Sequence, residues 1–275
     1  MKAGLGSFAF RYAIGDPSLS PGERMDLKGF LECCNLLKIK IIQICDNIPL
    51  HQLSDEKLQD GKNLAEKYGI GIETGTAGCD LNHLTRHIEI SRQFNSGILR
   101  TVLKRDKNRL SDDDTIDQIC RLIPLLESNG IALAIENHFD HSPFELGVLI
   151  KKIDHPLVKI CIDPLNSLTK LCGINETFNE LKDYIITAHV KDVKIERKGT
   201  SFMISGCPLG EGLMGVEDYL KRIHVLNPDC NIFLEQWMDP LETSQKSIEK
   251  EMAWVKEGMS FLNNIIKNLK TPDIN

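Results

Sequence analysis

The chain has 275 residues, 41% of them hydrophobic and 26% charged, which is enough apolar material for one sizeable core. Its formal net charge of -6 disfavours nucleic acid as a partner, because an acidic surface repels phosphate backbones. No apolar run approaches the roughly 20 residues of a membrane span, and nine scattered cysteines without a C-x-x-C pair are typical of reduced thiols in a cytoplasmic protein.

Eight short apolar runs predict eight β-strands. Most of them are continuous in apolar or β-branched residues, a pattern typical of parallel strands that are buried on both faces. The predicted strands are Gly4–Phe10, Ile39–Ile44, Ile70–Glu73, Ile98–Leu103, Ile131–Glu136, Val158–Asp163, Ile185–Val190 and Ile232–Glu235.

An amphipathic segment follows each predicted strand and predicts a helix there. Apolar residues recur at helical spacing in these segments, and Ser142-Pro143-Phe144-Glu145 forms a capping box with proline at the first helical position. The predicted helices are Asp26–Leu37, Asp55–Tyr68, Asp80–Phe94, Thr115–Ser128, Pro143–Ile153, Glu176–Tyr184, Val216–Leu226 and Thr243–Leu269.

The strict alternation of strands and helices predicts a parallel α/β fold. Periodicity alone does not separate an open sheet from a closed barrel, but the count of eight favours a (β/α)8 barrel. No linker or low-complexity tract interrupts the chain, so residues 1–275 are predicted to form one domain. The longest irregular stretch, Lys191–Gly215, is predicted to be a functional loop, and the tail Lys270–Asn275 is predicted to be loose.

The ends of four consecutive strands carry candidate metal ligands: Glu136, Asp163, His189 and Glu235. In a barrel these carboxyl ends meet at one mouth, where three carboxylates would repel one another without a cation. Taken alone, Asp163 before Pro164 could be an ordinary turn residue, and His189 could be a hydrogen-bonded core histidine. Four such residues at equivalent positions on neighbouring strands favour a metal site instead. Oxygen-rich ligation with one imidazole suits Mn²⁺ first, and also Mg²⁺, Co²⁺ or Zn²⁺.

Further polar residues near these strand ends are candidates for substrate binding. His138 and Lys191 each follow a predicted ligand by two residues, so each shares the side of the strand on which that ligand lies. The alternatives are that His138 only supports a ligand and that Lys191 is a solvated loop lysine. An arginine inside a buried strand needs a charged partner, and Glu73 is either that partner or another pocket acid. The predicted substrate-binding residues are His138, Lys191, Arg100, Asn166 and Gln43.

These residues resemble, over the whole chain, the xylose isomerase-like TIM barrels of the sugar phosphate isomerase/epimerase group. The matching motifs are Ala134-Ile135-Glu136-Asn137, Ile162-Asp163 with Asn166, His189-x-Lys191-Asp192, Pro208-Leu209-Gly210-Glu211-Gly212 and Leu234-Glu235. The resemblance implies that the four ligands hold one divalent metal and that Glu136 and Glu235 serve as the acid/base pair. It also implies a small carbohydrate or sugar-acid substrate and a metal-stabilised enediolate, as in sugar isomerases and epimerases.

Some stretches look more like the 3-oxoisoapionate decarboxylase branch of this group, so decarboxylation of a 3-oxo sugar acid is the alternative function. They are Ile42–Leu50, Glu73–Thr76, Leu99-Arg100, Glu136–His138 and Gly206–Gly212. The chain also departs from the ketose 3-epimerases, which usually carry an arginine in the loop after the metal histidine. Here Lys191 and Asp192 follow His189, and the nearest arginine is Arg197.

Two other classes of function use a barrel of this kind. The second alternative is a catalytically inactive sugar-binding barrel. It is disfavoured because all four predicted metal ligands are residue types that bind metal. An endonuclease IV-like enzyme would need three zinc ions, and the remaining histidines (His51, His83, His87, His141, His155 and His224) are predicted not to complete a cluster. The sequence leaves open whether the substrate is phosphorylated and whether the chain forms a homo-oligomer.

Overall fold

The barrel wall consists of eight parallel strands that close on themselves in the order β1-β10-β7-β6-β5-β4-β3-β2. This computed structural model describes residues 1–15, 24–104 and 110–270, so most of the predicted tail lies outside the described residues. The predicted fold class, a (β/α)8 barrel, is confirmed. The barrel strands are β1 (Lys2–Gly6), β2 (Ile41–Ile44), β3 (Gly71–Ala77), β4 (Ile98–Val102), β5 (Ala132–Glu136), β6 (Val158–Ile162), β7 (Ile185–Val190) and β10 (Asn231–Leu234).

Helices surround the barrel and follow the predicted order. Ser142 caps its helix through the predicted capping box, and Gly69 and Gly130 end two others in the left-handed conformation that glycine adopts without a steric penalty. The helices in the described ranges are α1 (Arg11–Ile14), α2 (Leu27–Leu36), α3 (Asp55–Tyr68), α4 (Leu81–Gln93), α5 (Asp112–Asn129), α6 (Pro143–Ile153), α7 (Ile174–Leu181), α8 (Val216–Leu226) and α9 (Ser244–Lys270).

Two segments differ most from the predictions, while β3 runs four residues beyond the predicted end at Glu73 and the short α1 was not predicted. The first strand ends at Gly6, and Ser7–Phe10 form a 3₁₀ turn because the Ser7 hydroxyl accepts a hydrogen bond from the Cys45 backbone N–H at 2.8 Å. The stretch predicted to be irregular contains an antiparallel hairpin, β8 (Asp192–Lys198) and β9 (Ser201–Cys207). Gly199 lies in the turn of this hairpin and has a φ of 65°, a conformation that glycine adopts without a steric penalty. The glycine that suggested an irregular loop therefore closes a hairpin.

The apolar core lies between the strands and the helices, and it is continuous around the barrel. Leu5, Ile42, Leu99, Ile135 and Ile160 are fully buried at this layer. Polar side chains concentrate instead inside the carboxyl end of the barrel, so the packing that holds the fold also fixes the strand ends that carry the candidate site. Within the described ranges, no helix has both the length and the apolar character needed to cross a membrane.

Candidate metal centre and its cavity

The four predicted ligands come from adjacent strands at the carboxyl end of the barrel. Glu136 is the last residue of β5, Asp163 follows β6, His189 lies near the end of β7, and Glu235 follows β10. Their strands are neighbours, with Glu136 in register with Cys161 and Phe233 in register with His189. This register brings all four side chains together inside the barrel, where each is at most 5% exposed.

The donor atoms lie around Nδ1 of His189 in two groups of three that share this residue, one with Asp163 and Glu235 and the other with Glu136 and Cys161. Nδ1 of His189 lies 3.5 Å from Glu136 Oε2, 3.6 Å from Asp163 Oδ2 and 3.5 Å from Glu235 Oε1. These separations suit neighbouring ligands on one cation, since bonds of about 2.1 Å place adjacent donors roughly 3.0–3.5 Å apart. Neither His189 Nδ1 nor Glu235 Oε1 has a hydrogen-bond partner among the described residues. Buried polar atoms without partners are costly, so the arrangement fits a divalent cation.

The tautomer of His189 follows from two residues behind it. Gln43 donates its Nε2 amide to Glu73 Oε2 at 3.1 Å, so its Oε1 faces His189 Nε2 at 2.7 Å. An amide oxygen only accepts, and therefore His189 must carry its hydrogen on Nε2. Burial lowers the pKa of His189, but the three carboxylates that face Nδ1 outweigh it and raise that pKa, so a divalent cation would displace a proton from Nδ1. A supporting hydrogen bond of this kind orients metal-binding histidines in general.

Glu73 anchors this arrangement from inside the barrel. It accepts hydrogen bonds from Gln43, from Thr187 Oγ1 at 2.9 Å and from Asn231 Nδ2 at 2.7 Å. Burial raises the pKa of Glu73 in spite of these donors. The structure thus excludes Glu73 as the partner of Arg100, and it places Gln43 behind His189 rather than in the wall of the cavity described below.

Arg100 spans the inside of the barrel and binds Glu136. Its Nε donates to Glu136 Oε2 at 2.5 Å, and its Nη2 contacts the same oxygen. Its Nη1 donates to Asp46 Oδ1 and to the Thr76 carbonyl oxygen, both at 3.1 Å. Burial would lower the pKa of Arg100, but Glu136 and the other nearby acids raise it above its usual value, so the guanidinium stays charged.

Lys191 is the second buried cation of the site. Its Nζ lies 2.6 Å from Asp163 Oδ2, 3.0 Å from Glu235 Oε2 and 4.7 Å from the centre of the Trp237 ring. Burial acts to lower the pKa of Lys191, and the two carboxylates outweigh it and raise that pKa. In the same way, His189 and Lys191 outweigh burial and hold the pKa of Glu235 below its ordinary value. The site therefore holds ionised acids beside a protonated lysine.

A cavity of about 560 Å³ opens over this cluster. Four of the predicted substrate-binding residues, Arg100, His138, Asn166 and Lys191, line it together with Glu136 and Glu235. Asn166 donates its Nδ2 to Glu136 Oε1 at 2.8 Å, while its Oδ1 has no hydrogen-bond partner within the described ranges. Burial lowers the pKa of His138, which keeps that ring neutral. The wall thus offers cations, a neutral imidazole and an amide acceptor.

Several residues of the site were not found from the sequence. Phe8, Phe139 and Trp237 form apolar walls of the cavity, and Asp46 is a partner of Arg100. Phe139 and Trp237 lie within three residues after predicted ligands, so their position just beyond strand ends was an available signal. Cys161 also lies close to Glu136 and His189, but burial raises the pKa of its thiol, which makes it a poor ligand at neutral pH.

The glycine-rich segment at residues 208–212 wraps around Asp192. The backbone N–H groups of Gly210 and Gly212 donate to Asp192 Oδ2, and that of Met214 donates to Oδ1, each at 3.0 Å. A side chain at Gly212 would collide with the Asp192 carboxylate. These N–H groups are therefore used to hold the chain next to Lys191, and they do not form a phosphate cradle.

One prediction about the remaining histidines is wrong. His51, His83 and His87 lie together, with one ring nitrogen from each within 4.8 Å of the other two. The sequence did not reveal this cluster because His51 is 36 residues from His87 and joins it only through the packing of the Leu50–Gln52 turn against α4.

Comparison with known proteins agrees with the barrel fold. Residues 37–264 match the family model described as xylose isomerase-like TIM barrel. The chain belongs to this family. It is 25% identical over 264 residues to 3-oxo-isoapionate decarboxylase of Pectobacterium atrosepticum, which covers 95% of each chain.

Solved structures share the fold of this chain at low sequence identity. D-psicose 3-epimerase of Clostridium cellulolyticum H10, solved with D-tagatose, superposes with a TM-score of 0.73 at 14% identity and covers 98% of this chain and 100% of its own. A xylose isomerase-like TIM barrel protein of Mycobacterium smegmatis in complex with magnesium has a TM-score of 0.70 at 15% identity, covering 96% and 97%. The proteins that this chain resembles thus include an epimerase, a decarboxylase and a barrel protein solved with magnesium.

Proposed function

We propose that this protein is a divalent-metal-dependent enzyme that decarboxylates a small 3-oxo sugar acid. The observation that carries the proposal is the buried ammonium group of Lys191, which borders the cavity directly beside the candidate metal ligands. Its Nζ lies 2.6 Å from Asp163 Oδ2 and 3.0 Å from Glu235 Oε2, so a substrate carboxylate that enters the cavity meets a cation next to the expected metal position. A buried carboxylate is stabilised by a neighbouring cation, which favours a sugar acid over a neutral sugar as the substrate.

The metal would be held by Glu136, Asp163, His189 through Nδ1, and Glu235, with Mn²⁺ the first expectation and Mg²⁺, Co²⁺ or Zn²⁺ also compatible. When bound, it supplies Lewis-acid stabilisation of the negative charge that develops on the substrate carbonyl oxygen. Arg100 and Asn166 fix Glu136 from both of its oxygens, which keeps this ligand in place. Gln43 keeps His189 in the tautomer that offers Nδ1.

The protein residues account for the rest of the reaction. Lys191 lines the cavity with an ammonium group and can bind the substrate carboxylate, while the neutral His138 and Asn166 Oδ1 bind hydroxyl groups. The bond between the carboxylate and its neighbouring carbon breaks, its electron pair moves toward the carbonyl oxygen, and CO2 leaves. A proton held at the Lys191–Glu235 pair then replaces the carboxylate on carbon, so that one proton is consumed for each turnover.

The second candidate is a sugar isomerase or epimerase, which Glu136 and Glu235 support because both reach the cavity and both match the acid/base pair of the epimerases. Against it, Arg197 does not replace the arginine of the ketose 3-epimerases. Arg197 lies on the exposed β8–β9 hairpin, and its Nε donates to the Gly199 carbonyl oxygen at 3.0 Å. The 25% identity to a decarboxylase also favours the loss of carbon.

We extend the proposal to the setting of the enzyme. Residues 1–275 form one domain, and the protein works in the cytoplasm on a small-molecule substrate, without nucleic acid or membrane. All nine cysteines are free, which supports a reducing compartment.

Proton and ¹³C NMR in D2O distinguish the candidates. The protein is incubated with Mg²⁺ and a panel of ketoses, hydroxypyruvate and 3-oxo sugar acids, with an EDTA-treated sample as the control. Decarboxylation predicts loss of a 3-oxo acid, release of bicarbonate, and deuterium on the carbon that carried the carboxylate. Exchange beside a ketose carbonyl without loss of carbon would make the protein an isomerase or epimerase. Failure to retain metal or turn over any of these would favour an inactive sugar-binding barrel.

A further inference from the structure

The histidine cluster lies outside the barrel wall, between β3 and α4. His83 and His87 are one helical turn apart on α4, so both rings lie on the same face of the helix and contact Thr76 near the end of β3. His51 joins them from the turn that follows β2. Two histidines four residues apart on a helix, completed by a third from elsewhere in the chain, are a common arrangement for binding zinc.

The polar atoms of the cluster converge as metal ligands do. Nε2 of His87 lies 3.2 Å from Nδ1 of His51. The Thr76 hydroxyl lies 2.7 Å from Nε2 of His83 and 2.9 Å from Nε2 of His87. A tetrahedral zinc ion with bonds of about 2.0–2.1 Å holds its nitrogens roughly 3.3–3.4 Å apart, so small shifts of these rings would admit the ion.

We propose that His51, His83 and His87 form a second metal site, which binds one Zn²⁺ or a similar nitrogen-preferring ion through three neutral imidazoles. This site is independent of the proposed decarboxylation. Its donors are all nitrogen, which favours Zn²⁺, Cu²⁺, Ni²⁺ or Co²⁺ over Mg²⁺ and Mn²⁺. A fourth position is left for water or for the Thr76 hydroxyl, which already lies beside two of the ring nitrogens.

The site has a route to solvent and a link to the metal centre. His51 and Thr76 line a cavity of about 690 Å³ that shares Arg100 and His138 with the cavity over the metal centre. The carbonyl oxygen of Thr76 accepts a hydrogen bond from Arg100, which in turn holds Glu136. An ion in the histidine cluster would therefore lie at the edge of the same open space, within reach of small solutes.

Isothermal titration of the metal-free, full-length protein with Zn²⁺ tests the site. Three variants accompany the wild type: Asp163→Asn/Glu235→Gln, which removes ligands of the metal centre; His51→Ala, which removes the one histidine of the cluster that does not lie on α4; and His224→Ala, a matched control on α8. The proposal predicts two equivalents for the wild type and for His224→Ala, and one for Asp163→Asn/Glu235→Gln. In His51→Ala, affinity at one of the two sites should fall roughly 100-fold or more.

The outcomes separate the two metal proposals. In one contrary outcome, the wild type binds a single Zn²⁺ that is lost in Asp163→Asn/Glu235→Gln and retained in His51→Ala. That result would overturn the histidine site and leave the metal centre standing. A single equivalent with the opposite dependence would leave the histidine site standing and contradict the metal centre.

X-ray absorption at the zinc edge gives a second readout that does not depend on a histidine variant folding. Measured on zinc-loaded Asp163→Asn/Glu235→Gln, it should show the multiple scattering of three imidazole ligands. A spectrum without imidazole scattering would overturn the assignment, and the cluster would then be a hydrogen-bonded group around Thr76.

Discussion

The two glutamates of the metal centre have unlike surroundings. Both oxygens of Glu136 are held, Oε2 by Arg100 and Oε1 by Asn166. Glu235 is held through Oε2 by Lys191, and no residue in the described part of the chain donates a hydrogen bond to its Oε1. The difference suggests a division of roles, in which Glu136 is a fixed ligand and Glu235 is free to exchange a proton as well as to bind metal.

The two buried cations, Arg100 and Lys191, also differ in how fully their donors are used. Arg100 uses its donors on Glu136, Asp46 and the Thr76 carbonyl oxygen, so it acts as a brace across the barrel. Lys191 has three donors, two of which face Asp163 and Glu235, and its ammonium group borders the cavity above the Trp237 ring. The wall formed by Glu235, Lys191 and Trp237 is therefore the one on which substrate chemistry is expected to depend.

The largest effect is expected for Glu235→Gln. The variant keeps the size of the side chain but removes a charged ligand, so both metal affinity and turnover should fall by on the order of 10²–10³-fold. Titration with Mn²⁺ and steady-state kinetics measure the two losses, and circular dichroism checks the fold. The exposed Glu217→Gln is the matched control. Full activity of Glu235→Gln at low metal would refute the assignment of this ligand.

Lys191→Met should change substrate and metal binding in opposite directions. The KM for a 3-oxo acid should rise about 10–100-fold, because the substrate carboxylate loses its cation. Metal affinity should rise severalfold, because Asp163 and Glu235 no longer share their charge with an ammonium group. The comparison uses KM and Mn²⁺ titration. A fall in metal affinity with no change in KM would show that Lys191 only supports the ligands.

A smaller loss is expected for Gln43→Leu, which removes the acceptor that fixes His189. Metal affinity should fall roughly 10-fold, as for other residues that orient a metal-binding histidine. The KM at saturating metal should stay the same, since Gln43 lies behind His189. Gln59→Leu on the exposed face of α3 is the control for the substitution itself. An unchanged metal affinity in Gln43→Leu would rule out the proposed tautomer control.

The smallest effect is expected for Trp237→Leu, which removes the ring beneath Lys191. A cation–π contact that borders open solvent is worth about 0.5–1 kcal/mol, so KM should rise only about two- to fivefold. Trp254→Leu removes a similar contact, with Lys250 at 5.0 Å, away from the metal centre and is expected to leave KM unchanged. Equal KM values for the two variants would exclude a role for Trp237 in positioning Lys191.

The sequence predicted the parts of the molecule that depend on local pattern. The barrel followed from eight alternating runs, and the convergence of Glu136, Asp163, His189 and Glu235 followed from their positions at strand ends. Arg100 was predicted to need a charged partner because it lies in a buried strand, and the structure supplies Glu136 and Asp46.

Other features depend on contacts that no local pattern encodes. Gln43 is 146 residues from His189, and its place behind the ring is set by barrel closure, not by strand spacing. The hairpin after His189 was hidden because its glycines resemble those of a loop. The histidine cluster was missed because His51 and α4 meet only when β2 and β3 pair and bring their following segments together.

Anomalous diffraction at the manganese edge, from crystals grown with Mn²⁺, tests the central claim most directly. The account predicts one strong peak at the mouth of the barrel, about 2.0–2.3 Å from Nδ1 of His189 and from carboxylate oxygens of Glu136, Asp163 and Glu235. A peak that these four side chains do not share, ligation through Nε2 of His189, or no peak at a concentration that supports turnover would contradict it.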